Sequence, residues 1–287
     1  MPSPKQRHKT MVTAATIFSF YLVASTAAHG QEDTTKGQPV APETVTDKPT
    51  GFGGYVMLGG ILSPDYQGSS HYKFGPLAAG KLTYDTYYVE IKGPEARINL
   101  SPIDGLEFGP VMGLRSGRSD VSNNHVDAMR DIDGSFEMGG FIRASRDDVF
   151  MQQDQVAFGV EALTDVTESS QGTTISFGPS YEFSPFQRLR LGFDLSATYA
   201  SSGYQSTYFG IDSGDARRSG LPTYKAGAGM KDVGLSITAN YQLSDHWGLI
   251  GVAKYTRLVG DAADSPIVKD EGSRSQFMLG TGVVFRF

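Results

Sequence analysis

The sequence predicts an all-β fold: a transmembrane antiparallel up-and-down β-barrel of about twelve strands, with ten strands as the alternative. Three observations support this prediction. The chain begins with a secretion signal and has no cysteine, its later segments alternate apolar with polar residues, and its last segment is an amphipathic strand that ends on an aromatic residue. A mean hydropathy of −0.25 fits such a barrel, because only alternate residues need be apolar.

The first part of the chain has the pattern of a signal peptide. Three cations stand within residues 1–9, residues 11–24 are largely apolar and uncharged, and a small-residue segment follows in which cleavage after Ala28 or Gly30 is expected. The apolar run is shorter than the about 20 residues that a membrane-spanning helix needs, so we expect export. Removal of residues 1–30 changes the formal charge from −6 to −9, which gives no support for nucleic-acid binding.

We expect three parts in the chain: a signal peptide at residues 1–30, a disordered periplasmic leader at residues 31–50, and the barrel at residues 51–287. The leader is polar, contains three prolines and shows no hydrophobic period. Since the chain has no cysteine, disulfides cannot stabilise it. A closed barrel provides stability instead through a backbone ladder without free edges.

Strand segments follow one another through the predicted barrel, separated by turn residues. We predict strands at residues 51–62, 72–84, 86–100, 106–115, 135–145, 154–165, 173–183, 188–199, 232–243, 247–259 and 276–287. Because single-chain bacterial barrels have an even number of strands, a twelfth is expected. It is either residues 204–211 or the second half of the segment that Pro94 divides. No segment is a convincing helix.

The alternation is cleanest at residues 173–183, 188–199 and 232–243, where polar residues occupy one face and apolar residues the other. The facing of residues 247–259 is unsettled, because Lys254 and Arg257 lie on opposite faces. We predict that charged side chains of the polar faces line the lumen: Glu107, Arg115, Glu137, Arg143, Glu161, Glu182, Arg188, Arg190, Asp194 and Asp232. They form either the selectivity lining of a narrow channel or an ion-paired filling that fixes the barrel, and we favour the filling.

The last predicted strand, residues 276–287, places Phe287, Phe285 and Val283 on one face and Arg286 and Gln276 on the other. A strand of this kind must pair with the first strand so that no edge remains in the membrane. We therefore predict that the barrel closes between the first and last strands. We also predict that Phe287 is an assembly signal.

Catalytic and metal-binding patterns are weak in this sequence. Three histidines remain after signal removal: His71, His125 and His246. Each falls in a predicted loop or turn, and no group that would orient it can be identified from spacing. Asp261, Asp264 and Asp270 lack the spacing of a calcium loop, and no glycine-rich phosphate loop precedes a helix. We expect no catalytic residues, no cofactor and no metal ion.

Three motifs carry a resemblance to a known family. They are PDYQGS at residues 64–69, SGLPTY at residues 219–224 with GMKDVG at residues 229–234, and GDAADSPIV at residues 260–268. Together they look like the MltA-interacting protein family, also called MipA/OmpV, over about residues 51–287. Between residues 116 and 171 only the general texture of a barrel is present.

The resemblance implies a barrel in the outer membrane of a Gram-negative bacterium, in contact with outer membrane lipid. Some members of the family are proposed to join a lytic transglycosylase to a peptidoglycan synthase, which implies a non-enzymatic scaffold. Other members are linked to osmotic or antibiotic response, so a small pore or solute channel is the alternative. For the motif residues we expect a loop-folding role: Gly220 and Gly260 permit unusual backbone angles, and Asp261 or Asp264 caps loop amides.

Overall fold

The computed structural model describes residues 51–167 and 172–287, so the predicted signal peptide and leader lie outside the described residues. The strands are β1 (Phe52–Pro64), β2 (Tyr72–Tyr84), β3 (Tyr87–Lys92), β4 (Glu95–Asn99), β5 (Leu106–Arg115), β6 (Ser135–Asp147), β7 (Gln155–Asp165), β8 (Thr173–Phe186), β9 (Leu189–Ala200), β10 (Gly229–Gln242), β11 (Trp247–Leu258) and β12 (Ser275–Arg286). They form one closed antiparallel barrel in which β1 pairs with β12. The predicted fold is confirmed, with twelve strands.

Pro94 accounts for the twelfth strand. Gly93 and Pro94 form a tight turn between β3 and β4, and Gly93 adopts a positive φ of 61°. Proline has no N–H to donate to a ladder, so it ends one strand rather than continuing it. Division of the segment at Pro94 is therefore correct, and the alternative strand at residues 204–211 is wrong.

The wall of the barrel has an apolar outer face and a small or polar inner face. In β12 the side chains of Phe277, Leu279 and Val283 are exposed on the outer face, whereas Gln276 and Val284 are buried on the inner face. This is the alternation that a strand with one face in lipid requires. Because the register of every neighbouring strand is fixed, the same division continues around the barrel.

The register also settles the facing of β11. Tyr255 pairs with Phe277 and therefore lies on the outer face. Lys254 consequently points inward, where it lines the interior cavity. Arg257 lies on the outer face next to the end of the strand, and its Nη1 donates to Ser275 Oγ at 2.7 Å. Its charge therefore stays at the rim, as expected for a cation beside an apolar band.

The connections alternate between two ends of the barrel. One end, which we call the short-turn end, carries residues 85–86, 100–105, 148–154, 187–188 and 243–246, with the start of β1 and the end of β12. The opposite end, which we call the long-loop end, carries residues 65–71, 93–94, 116–134, 201–228 and 259–274, among others. The sequence left the side of residues 116–134 open, and the register places them at the long-loop end.

Within the described residues, short helices occur only at the long-loop end. They are α1 (Asn124–Asp127), α2 (Ser202–Phe209), α3 (Ser213–Ser219), α4 (Gly260–Asp264) and α5 (Pro266–Lys269). The expectation that the chain has no helix is therefore wrong. In α2 the Ser201 side chain accepts the Tyr204 amide as an N-cap, and Tyr204 and Tyr208 bury one face. None of the described helices has the length and apolar character needed to cross a membrane.

The three longest of these connections fold together into what we call the cap: residues 116–134, 201–228 and 259–274. Two apolar clusters join its segments, and they include Tyr204, Phe209, Ala263 and Val268 in one and Val126, Met129, Leu221 and Ile267 in the other. A smaller apolar cluster, Tyr88, Val111, Phe141 and Leu163, lies inside the barrel wall. Most of the apolar core therefore sits in the cap rather than in the lumen.

The motif residues of the cap have the loop-folding contacts expected of them. Gly220 ends α3 with a φ of +77°, and Gly260 has a φ of +53°. Such angles favour glycine. Asp261 Oδ2 accepts the amide of Gly227 at 2.7 Å, so it caps a loop amide. Asp264 instead forms an ion pair with an arginine of the same connection.

Candidate functional site

A polar cavity of about 690 Å³ lies inside the barrel below the cap. Side chains of the wall line it, among them Arg115, Glu161 and Lys254. Tyr66 of the β1–β2 connection and Tyr208 of α2 line it from the long-loop end. The cavity therefore brings the wall charges and the loop motifs into one space, which makes it the first candidate site.

Tyr204 joins the cap to the wall at this cavity. Its hydroxyl accepts from Arg115 Nη1 at 3.0 Å and lies 2.8 Å from Gln67 Nε2. Arg115 also donates through Nε and Nη2 to both carboxylate oxygens of Glu137, at 2.7 and 2.8 Å. The Arg115 guanidinium lies 4.9 Å from the Tyr204 ring centroid and Lys231 Nζ lies 5.4 Å from it. Two cations thus share one fully buried aromatic ring.

Lys231 reaches the interior because β10 contains an irregularity. The register between β10 and β9 shifts between Met230 and Asp232, so one extra residue is accommodated. A bulge of this kind changes the direction of a side chain. Lys231 and Asp232 are consequently both buried, with Nζ and Oδ2 2.8 Å apart. Strict alternation puts adjacent residues on opposite faces, which is why the sequence predicted Asp232 and missed Lys231.

Arg97 is the centre of a second charged group in the wall. Its Nη2 donates to Glu95 and, at 3.1 Å, to Glu161. Its Nε lies 4.0 Å from a carboxylate oxygen of Glu90, and the guanidinium lies 5.3 Å from the Phe141 ring centroid. One cation therefore attracts three carboxylates, and Lys92 Nζ, 3.9 Å from Glu90, adds a second positive charge. This attraction lowers the cost of placing the carboxylates inside the barrel.

A third group lies next to it, with side chains from β2, β3, β5, β6 and β7. Arg143 donates to Glu107 at 3.0 Å and to Gln155 at 2.7 Å. The Tyr88 hydroxyl donates to the other carboxylate oxygen of Glu107 at 2.7 Å. Lys81 Nζ lies 3.8 Å from the centroid of the Tyr88 ring. Each charge in this group has an opposite charge or an aromatic face beside it.

The remaining residues of the predicted lumen set lie outside these groups. Glu182 and Arg190 pair at 2.9 Å with both side chains partly exposed. Asp194 is on the inner face opposite Ser180, and no ion pair joins it to another described residue. Arg188 lies in the two-residue turn between β8 and β9, so it is at the rim rather than within the wall.

Sequence reasoning missed several interior charges because it left the facing of residues 86–100 open. Tyr88, Glu90 and Lys92 precede the turn at Pro94, and Glu95 and Arg97 follow it. On each side of the turn the polar residues recur every second position, and this is the pattern of a strand with one polar face. That alternation was the signal that could have located the Arg97 group.

No histidine lines the cavity among the described residues. His125 lies in the cap, where its Nδ1 is 2.7 Å from the Ser219 carbonyl oxygen, and His246 lies near Phe285 at the short-turn end. In the part of the chain that the structure describes, no three metal-binding side chains come together.

The short-turn end carries a second candidate site, the connection between β6 and β7. Asp154 is buried there and accepts the amides of Val149, Phe150 and Met151 at 2.7, 3.0 and 3.1 Å. Tyr181 donates to the same carboxylate at 3.0 Å. Burial acts to raise the pKa of Asp154, but these hydrogen bonds outweigh it and hold the pKa below its usual range. The connection is therefore an ordered turn with an apolar apex.

Phe287, the predicted assembly signal, lies at the same end. Its amide donates to the Gly54 carbonyl at 3.1 Å, and the Gly54 amide donates back to Phe287 at 3.0 Å. These bonds continue the seam between β1 and β12 to the last residue. The Phe287 ring is exposed and lies 6.4 Å from the ring of Phe285. Its role in assembly stays a prediction.

The model of one protein family, described as MltA-interacting protein MipA, matches residues 56–287. YiaT of Escherichia coli K12 is 32% identical over 132 residues, which are 44% of this chain and 49% of YiaT. The outer membrane protein Omp26La of Vibrio anguillarum is 30% identical over 31% of this chain and 33% of its own length. The MltA-interacting protein of E. coli K12 is 27% identical over 32% of this chain and 36% of its own length. The matched part of the chain thus spans at most about half the length of these relatives.

Solved structures of outer membrane proteins also align with the chain. An outer membrane channel from Pseudomonas putida F1 aligns over 86% of this chain and 100% of its own, with 11% identity and a TM-score of 0.43. OmpT of Vibrio cholerae aligns over 82% of this chain and 96% of its own, with 7% identity and a TM-score of 0.34. Similarity at this level supports no inference about function.

Proposed function

Because the chain belongs to the MltA-interacting protein (MipA) family, we propose that it is a non-enzymatic scaffold that docks a lytic transglycosylase and a peptidoglycan synthase at its short-turn end. The chain is an outer membrane protein, the description that its relatives from two Vibrio species carry. Short turns of bacterial barrels face the periplasm and long loops face outward. The short-turn end is therefore the side on which peptidoglycan enzymes work.

The ordered turn between β6 and β7 is the observation that carries this proposal. The Phe150 side chain is 76% exposed at its apex, and Val149 and Met151 are exposed beside it. Asp154 fixes the backbone of all three residues through their amides. An apolar apex that is ordered before binding loses little entropy on docking, and aromatic anchors of this kind dominate many interfaces.

The interior of the barrel supports a structural rather than a catalytic role. Its three charged groups are internally paired, and the cap covers one end with its own apolar core. Such pairing satisfies buried charge and holds neighbouring strands in register. We also propose that the apolar outer face of the barrel contacts outer membrane lipid.

Replacing the apex tests the docking proposal. The variant Val149→Ser, Phe150→Ser, Met151→Ser removes the apolar anchors but leaves Asp154 and its amide partners in place. We expect retention of a lytic transglycosylase on the purified barrel to fall at least about tenfold, the loss typical of one interface hot spot. Binding is measured with the full chain in detergent micelles and a purified family transglycosylase.

Ile103→Ser is the matched control. Ile103 is 57% exposed in the neighbouring connection between β4 and β5 at the same end, so it tests whether any apolar turn residue suffices. Its variant should bind like the unchanged barrel. Equal binding by the apex variant, or no retention of the enzyme by the unchanged barrel, would sink the proposal.

A narrow solute pore is the second candidate, with a role in osmotic or antibiotic response. The interior cavity of about 690 Å³ and its charged lining favour it. Rings of charged side chains select ions in channels of this kind. A pore predicts discrete conductance steps in a planar bilayer, whereas a capped docking barrel predicts none.

A further inference from the structure

The barrel wall is not equally high on all sides. The last pair between β2 and β3 is Ala79 with Lys92, and Gly93 closes the hairpin by donating to the Ala78 carbonyl at 2.9 Å. β2 nevertheless begins at Tyr72. Along residues 72–77 it pairs with β1 on one side, and no described strand pairs with it on the other. The short hairpin β3–β4 thus leaves a gap in the half of the wall nearest the long-loop end.

Pro76 lies on the unpaired edge of this gap. The Ala78 carbonyl points towards β3, so the backbone nitrogen of Pro76, two residues earlier, points the same way. Proline has no N–H, and proline on an edge strand discourages pairing with another chain. The sequence of β2 therefore keeps the gap open instead of presenting an edge that a further strand could cover.

Other elements frame the gap on its remaining sides. Leu114 of β5 donates its amide to the Pro94 carbonyl at 2.9 Å, which fixes the side opposite β2. Towards the cap, Asp65 accepts the Ser122 amide at 2.8 Å and pairs with Lys73 at 2.8 Å. The result is a lateral window, which we define by residues 72–78, the Gly93–Pro94 turn and residues 114–118. Two missing strands at normal spacing leave an opening on the order of 10 Å.

The window joins an apolar exterior to the polar cavity. Phe74 and Leu114 are 76% and 63% exposed on the outer face at its two sides. The interior cavity is lined by Lys73 and Pro94 at the window and extends to Arg118 under the cap. A molecule in the membrane can therefore reach the cavity sideways if it has both an apolar chain and a polar head.

Arg118 is a buried cation with unused hydrogen-bond donors. Its side chain is 5% exposed, and Nη1 donates to the Tyr208 carbonyl at 3.0 Å. Among the described residues, its Nε and Nη2 have no hydrogen-bond partner, and no carboxylate lies within ion-pair distance of the guanidinium. The nearby charge of Asp215 is engaged by Arg130 and Arg218 instead. A buried charge left in this state is costly, so a partner is expected.

The free donors have the geometry of a carboxylate-binding fork. Arg115, the last residue of β5, uses its Nε and Nη2 to hold both oxygens of Glu137 at 2.7 and 2.8 Å. Nε and Nη2 are the two atoms that Arg118 leaves free. A planar carboxylate accepts from such a fork through two parallel hydrogen bonds, which fixes its orientation.

Two phenols beside Arg118 also have free hydroxyls. Tyr66 and Tyr208 are buried, line the same cavity, and have no hydrogen-bond partner for the hydroxyl oxygen among the described residues. Burial raises the pKa of Tyr66 to about 12, and the charge of Arg118, which lines the same cavity, opposes that rise. At neutral pH both phenols are protonated and can donate to an anion.

We propose that the cavity binds a long-chain carboxylic acid that enters from the membrane through the lateral window, with its carboxylate on Arg118 Nε and Nη2 and on the hydroxyls of Tyr66 and Tyr208. The apolar chain extends towards the window between Phe74 and Leu114. The volume of about 690 Å³ lies within the range of small-molecule sites. This proposal is independent of docking at the short-turn end.

Binding of cis-parinaric acid, a fluorescent fatty acid, tests the head-group site in the full chain reconstituted into lipid nanodiscs. We expect saturable binding of the acid, at least tenfold weaker binding of its methyl ester, and weaker binding of an alkyl phosphate. The ester comparison needs no variant. Equal binding of acid and ester would mean that water satisfies Arg118 and would overturn the proposal, and tighter binding of the phosphate would overturn the choice of a carboxylate.

Arg118→Gln should weaken binding of the acid at least tenfold and leave binding of the ester unchanged. Arg190→Gln is the matched control, since Arg190 already pairs with Glu182 away from the cavity, and it should bind like the unchanged chain. Full affinity for the acid in the folded Arg118→Gln variant contradicts the assignment of the head group.

Entry through the window is tested with single cysteines, because the chain has none of its own. Leu114→Cys lies at the window, and Leu249→Cys lies on the outer face of β11, away from it. After both are labelled with a bulky maleimide, we expect at least tenfold slower binding of the acid to the first variant and an unchanged rate for the second. Equal rates would exclude lateral entry.

Discussion

At the scale of single residues, Tyr204 links the cap to the barrel wall. Arg115 and Lys231 both lie next to its ring, and its hydroxyl connects Arg115 with Gln67 of the β1–β2 connection. Cations next to an aromatic face are stabilised most when water is excluded. A single side chain therefore connects three separate segments of the chain.

Tyr204→Phe keeps the aromatic ring and removes only the hydroxyl. Because it leaves donors of Arg115 and Gln67 unsatisfied in a buried site, we expect a loss of about 1–3 kcal/mol in the free energy of unfolding. The value is measured by denaturant titration of the refolded barrel in detergent. Tyr199→Phe is the control, since the Tyr199 side chain is exposed on β9 and should change stability little. Equal stabilities of both variants would contradict the role given to Tyr204.

Individual charges on the inner face were predictable, but their partners were not. Alternation alone identified Glu107, Arg115, Glu137 and Arg143 as polar-face residues. Which of them pair depends on the register between strands, and a shift by one residue would exchange the two faces. Lys231 shows the same limit, since a bulge that the alternation does not contain turns its side chain inward.

At the scale of elements, the long strands were predictable and the helices were not. A strand such as β8 or β10 repeats its pattern over more than ten residues. The cap helices have eight residues or fewer, too few to be stable in isolation. Their form depends on packing between distant connections, as when Ser265 Oγ donates to the Phe209 carbonyl at 2.7 Å. The hydrophobic periodicity of a single segment gives no information about such contacts between segments.

Gly68 shows how closely these connections pack. It has a φ of +95°, and a Cβ added there would lie 2.5 Å from Val268 Cγ2 of α5. We expect Gly68→Ala to lower the free energy of unfolding by at least about 1–3 kcal/mol, from backbone strain and the displaced valine. The measurement is a denaturant titration followed by tyrosine and tryptophan fluorescence.

Gly251→Ala provides the comparison for this substitution. Gly251 lies in β11, and an added Cβ there meets nothing within 4 Å. It should be neutral or slightly stabilising, because alanine restricts the unfolded chain more than glycine does. A Gly68→Ala variant as stable as Gly251→Ala would show that the β1–β2 connection does not pack against α5 as described.

At the scale of the whole molecule, the β1–β12 seam followed from one requirement: backbone groups exposed to lipid must be paired, so the sheet closes. Residues 72–77 of β2 are the exception, because the short β3–β4 hairpin leaves one edge of them unpaired at the window. The even strand number is the usual form of single-chain bacterial barrels. The position of the apolar core did not follow from closure. A barrel whose outer face is apolar places polar residues inside, and this chain gathers much of its buried apolar surface in the cap at one end.

Planar-bilayer recording of the purified full chain tests most directly whether this capped, ion-paired barrel binds partners rather than conducts. The control is a variant in which residues 202–219 are replaced by a short Gly-Ser linker, which removes α2 and α3 from the cap. We predict no discrete conductance steps from the unchanged chain and clear steps from the variant. Steps from the variant would also show that the barrel inserts into the bilayer. Discrete steps of equal size from both proteins would contradict the central claim and favour the solute pore.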